Sequence, residues 1–77
     1  MIRNLHVLDD PVVHIRFRGT SRDVALAVVG ITATSLEPEI RAALVRFLEI
    51  DPAALANHVI ERHPSGNVTL RPEAVFG

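Results

Sequence analysis

Four histidines, His6, His14, His58 and His63, are the residues whose ordinary pKa lies closest to neutrality in a chain that has no cysteine. His58 and His63 stand five positions apart, which sets them on opposite faces of a strand and about 140° apart on a helix. They form no local chelate. His6 and His14 would lie side by side if residues 2–8 paired with residues 12–18 through a three-residue loop. Two imidazoles do not complete a metal site, so no metal and no other cofactor is expected.

The other chemistries that side chains could offer have simpler explanations. Ser21 opens an expected helix and Ser65 sits in an expected turn, which are ordinary places for a capping or turn hydroxyl. Gly19, Gly30, Gly66 and Gly77 are isolated, so no glycine-rich phosphate loop is present. Asp9-Asp10 belongs to a turn, and Glu37 with Glu39 suits a helix N-terminus. All eight basic residues are arginine. The absence of lysine excludes Schiff-base chemistry on a lysine side chain. A high-GC bacterial genome gives the same bias. No enzymatic activity is expected.

The arginines outline one candidate anion-binding patch. In the run Val12-Val13-His14-Ile15-Arg16-Phe17-Arg18, apolar and polar residues alternate with the period of a strand. Arg16, Arg18 and His14 are placed on the polar side, and Arg22 is placed at a helix N-terminus, where backbone N–H groups favour anions. Arg71 joins them if the two hairpins are neighbours. A nucleic-acid partner is disfavoured: the formal net charge is −1, and tyrosine and tryptophan are absent as stacking platforms.

The elements that would position these residues are read from pattern. Ile2 to Leu8 and Val12 to Arg18 flank Asp9-Asp10-Pro11 and predict a first β-hairpin. Thr20 and Asp23 have the spacing of a capping box, which predicts a helix through the apolar run Val24 to Ile31. Ile40, Ala43, Leu44, Phe47 and Leu48 recur at helical spacing, with Glu37 and Arg41 four apart and Pro38 in the first turn. Asp51-Pro52 predicts an N-cap and a short helix to about Asn57. Pro64-Ser65-Gly66 predicts a second hairpin, pairing Ile60 with Leu70, Arg62 with Val68, Glu61 with Thr69 and Val59 with Arg71.

The expected fold is a single α+β domain over residues 1–77: an N-terminal hairpin, two to three helices and a C-terminal hairpin, with the helices on one face of a mainly antiparallel sheet. That succession resembles the β-grasp arrangement in topology alone. Ubiquitin-like carriers end on a glycine pair, where this chain has Gly77.

Size and composition point to association. A domain of 77 residues has proportionally much surface, yet 48% of its residues are hydrophobic. A homo-oligomer or an unidentified protein partner is expected to cover the excess, with Val75 and Phe76 as candidate interface residues. The longest apolar run, Val24 to Ile31, is far below the ~20 residues of a membrane span, so no membrane association and a cytoplasmic location are expected. The functional expectation is a small non-enzymatic protein–protein interaction module that self-associates. The second reading is a nucleic-acid or anion-binding module using the arginine face.

Overall fold

The computed structural model describes residues 10–73. Strand β1 (Val12–Phe17) turns back through Arg18-Gly19 into β2 (Thr20–Ala25), and a single α-helical turn, α1 (Leu26–Val29), follows. The long helix α2 (Glu37–Leu48) and one turn of 3-10 helix (Pro52–Leu55) lead to β3 (His58–Arg62) and β4 (Val68–Pro72). The strands form one sheet in the order β2-β1-β4-β3. Both hairpin pairs are antiparallel, but β1 and β4 run parallel at the centre, so the sheet is mixed.

The first hairpin differs from the expected one. Val13, His14 and Ile15 pair with β2 on one side and with β4 on the other, so β1 has no edge there for the segment 2–8. Residues 2–8 lie outside the described residues. The turn joins β1 to β2, with Arg18 at φ 52° and Gly19 at φ 80°. Two successive left-handed residues are what a two-residue hairpin turn of matching twist requires. Thr20 is accordingly not a helix cap: its hydroxyl donates to the Phe17 carbonyl at 2.8 Å. The helix expected from Thr20 is a strand to Ala25 and helical only at Leu26–Val29. Ser21 lies within a strand rather than opening a helix.

Helix α2 follows its pattern. Ile40, Ala43 and Leu44 are buried, with Phe47 and Leu48 packed against the same core. Glu39 accepts a hydrogen bond from the Leu36 N–H at 2.8 Å, closing the first turn in which Pro38 is harmless. Asp51 caps the following turn, accepting from the Ala53 N–H at 2.9 Å. That turn is 3-10 and ends at Leu55, shorter than the helix expected to Asn57. The second hairpin has the expected register at all four pairs, and pairing runs one residue further, with His58 opposite Pro72. Gly66 occupies the left-handed position at φ 95°.

The alternation within β1 sends Val13, Ile15 and Phe17 to the helix side, where they meet Val68 and Leu70 of β4 and the buried residues of α2. One core therefore lies between the sheet and a single long helix. Asn67 ties the second hairpin to the first, its Oδ1 accepting from the Val12 N–H at 2.9 Å.

Leu44 is wholly buried, so Leu44→Ala is expected to destabilise the domain by about 2–5 kcal/mol through lost burial and the cavity left behind. A denaturant titration measures this, and a loss below about 0.5 kcal/mol would contradict the packing of α2. A Cβ at Gly19 meets no atom within 4 Å. Gly19→Ala therefore isolates the cost of left-handed backbone, expected at about 1–2 kcal/mol.

Candidate functional site

The sheet has two unlike faces. α2 covers one, and no element among the described residues that carries a helix covers the other. Residues opposite one another in an antiparallel pair share a face, so the pairs His14–Asp23 and Arg16–Ser21 lie on the open side and Ile15–Arg22 on the helix side. Arg71 follows Leu70 as Arg16 follows Ile15, and Ile15 pairs with Leu70, so Arg16 and Arg71 share the open face. The two hairpins are thus neighbours, as an arginine patch would need.

The patch itself does not assemble. Arg22 is in a strand, not at a helix N-terminus, and it points to the helix side, where its guanidinium lies 5.2 Å from the centre of the Phe47 ring. Arg18 is in the turn, with its guanidinium 4.7 Å from the centre of the Phe17 ring. Both make cation–π contacts within the fold. Arg71 bonds Glu61 at 2.9 Å and the Pro72 carbonyl at 3.3 Å. Of the four arginines taken together from the sequence, Arg16 alone is exposed on the open face with no ion pair among the described residues.

His14 is held by Asp23, not by His6, which lies outside the described residues. The contact joins His14 Nδ1 to Asp23 Oδ1. An ionised carboxylate only accepts, so Nδ1 carries the proton. The neighbouring register position holds Thr69, whose hydroxyl shares a hydrogen bond with His63 Nε2 at 2.9 Å. Carboxylate, imidazole and hydroxyl thus sit on adjacent strands, but the hydroxyl is committed to a different imidazole. With Asp23 and Glu61 interleaved among Arg16, Arg71 and the histidines, the open face carries both signs of charge. Charges of the two signs partly cancel across it.

Glu61 has its carboxyl pKa held below its ordinary value of 4.5, first by the hydrogen bond from Arg71, against a smaller opposing effect of burial. The guanidinium of Arg71 is raised by the same bond.

A second surface was not singled out by the sequence. Arg41, Ala42, Val45 and Arg46 on one flank of α2, with Pro52, Leu55 and Ala56 opposite, line a groove of about 620 Å³. Arg41 forms one wall: it donates to the carbonyls of Leu55 at 3.0 Å and His58 at 2.8 Å and contacts Glu37 at 3.4 Å. These bonds fix the spacing between α2 and the segment that follows it. Arg46 is exposed at the rim and forms no ion pair among the described residues. The legible signal was Ala42, an exposed apolar residue beside Val45, which packs against the core.

Val75 and Phe76, the expected interface residues, lie outside the described residues. No helix among the described residues is long and apolar enough to cross a membrane. Comparison with protein-family models, curated proteins and solved structures found no match.

Arg71→Met is expected to return Glu61 to its ordinary range, read by NMR of its side-chain carbonyl against pH. A depressed folded pKa contributes stability above the unfolded value, and that contribution is lost as pH falls through the folded value. The wild type should therefore lose stability on acidification below about pH 4.5 more steeply than the variant. Equal titration of Glu61 in both proteins would contradict the pairing.

Proposed function

We propose that this chain is a non-enzymatic protein–protein interaction module whose binding surface is the groove beside α2. The supporting observation is the groove itself, about 620 Å³ and walled by Ala42, Val45, Pro52, Leu55 and Ala56, a size at which a pocket buries several side chains of a ligand. Arg46 at its rim selects the partner's chemistry: a short apolar segment next to a carboxylate, because the guanidinium can pair with that carboxylate while the apolar residues leave water. Self-association belongs to the same reading. Val28 and Leu36 are 65% and 64% exposed, and together with the groove they leave apolar surface that a second copy would cover.

The dispersal of Arg16, Arg18, Arg22 and Arg71 favours this module over a nucleic-acid or anion-binding one. Two of the four spend their cationic face on aromatic rings and a third on Glu61.

The test is binding to short synthetic peptides that combine apolar residues with Glu or Asp. Ala42→Glu, at an exposed position lining the groove, places a carboxylate there and is expected to weaken binding at least tenfold, about 1.4 kcal/mol, with unfolding midpoint little changed. Light scattering is expected to give a mass above that of one chain. If instead an oligonucleotide binds with a steep salt dependence and Arg16→Ala with Arg18→Ala abolishes it, the arginine-face reading replaces this one.

A further inference from the structure

We infer that the outer face of α2 pairs antiparallel with the same face of a second copy of this chain, with Glu39 of each copy against Arg46 of the other. The inference rests on the surface beside α2 being the binding surface proposed above, and it names the partner of that surface.

The spacing of the exposed residues carries the inference. Glu39, Ala42 and Arg46 stand at i, i+3 and i+7 on one face of α2, and all three are exposed. They form a ridge between two hollows. Ala42 and Arg46 line the groove of about 620 Å³ on one flank, and all three residues line a hollow of about 310 Å³ on the other. Neither charge is in an ion pair among the described residues. Seven residues of helix set Glu39 and Arg46 about 10 Å apart along the axis, too far to pair with each other. Glu39 gives one carboxylate oxygen to the Leu36 N–H, and the other oxygen can accept from a guanidinium.

An anion and a cation on one helix face, with a small residue between them, complement themselves under a two-fold rotation. Antiparallel alignment about an axis beside Ala42 brings Arg46 level with Glu39 of the second copy, and by symmetry Glu39 level with Arg46 of the second copy. At the centre of the contact Ala42 carries only a methyl group, which allows the helix axes to approach to about 8 Å. Val45 lies on the groove side of Ala42, so apolar side chains meet in the middle and the ion pairs flank them, as in an interface with an apolar core and a polar rim. The alignment also sets helix ends of opposite partial charge side by side. A carboxylate next to apolar residues is the chemistry that Arg46 and the groove select, and α2 of a second copy supplies it.

Sedimentation equilibrium of the full chain tests the pairing. The wild type is expected to be a dimer, and Arg46→Glu, at an exposed position, to raise its dissociation constant roughly tenfold or more by setting carboxylates against each other. Glu39→Arg is expected to do the same with guanidinium groups. Mixed in equal amounts, the two variants are expected to form a heterodimer, because both contacts in the mixed pair join opposite charges. Glu39→Arg gives up the bond to the Leu36 N–H, so Glu39→Gln, which can keep it, is a further variant, expected to weaken the dimer with its circular dichroism unchanged. A dissociation constant that neither Arg46→Glu nor Glu39→Gln changes overturns the inference and moves self-association to another surface. Folded variants that each weaken the dimer yet do not combine when mixed overturn the antiparallel pairing. A wild type that is monomeric at every concentration but binds peptides joining apolar residues to Glu overturns the inference and leaves the groove as a binding surface. One that neither dimerises nor binds such a peptide overturns the proposed function as well.

Discussion

Strand β1 is paired on both edges, and the rest of the domain depends on that. Its antiparallel partner β2 comes from the same hairpin, whereas its parallel partner β4 comes from the other end of the described chain. A two-stranded hairpin by itself is at best marginally stable in water. Joining two of them through β1 and β4 makes a four-stranded sheet with a continuous apolar face, on which α2 can bury Ile40, Ala43 and Leu44. The parallel join also fixes which residues share the open face, because it sets β1 against β4 with no freedom to slip without sending Val13 and Ile15 into water.

That arrangement commits most of the polar side chains to holding the fold together. Arg41 bridges α2 to the backbone at Leu55 and His58, Asn67 secures the start of β1, and Asp51 caps the turn between them. Arg18 and Arg22 lie over phenyl rings. A sequence rich in arginine and histidine thus yields a sheet face of mixed charge, and an apolar groove lies beside the helix of the opposite layer. His58 contributes in another way: its ring packs 5.4 Å from Phe17, centre to centre, and neither ring nitrogen is hydrogen-bonded within the described residues. The ring packs there at the cost of leaving two buried polar atoms without a partner among the described residues.

Local chemistry alone determined α2, the Asp51 cap and the second hairpin with its register. In each, the deciding interactions lie within a few residues: the spacing of Ile40, Ala43 and Leu44, the carboxylate of Asp51 beside Pro52, and Gly66 at the left-handed position of its loop. The first hairpin was not legible in this way, because two local signals competed. Asp9-Asp10-Pro11 has good turn chemistry, while the turn actually used is Arg18-Gly19, in which an arginine takes an uncommon left-handed conformation. What decided between them was tertiary: β4 occupies the edge of β1 that the segment 2–8 would have needed. Pairing with β1 across the Arg18-Gly19 turn made a strand of Thr20–Ala25 and so turned Arg22 away from Arg16 and towards Phe47. Alternation along β1 told which of its side chains avoid water. Which strands lie beside it, and hence which charges meet, is a non-local choice made by the burial of one shared core.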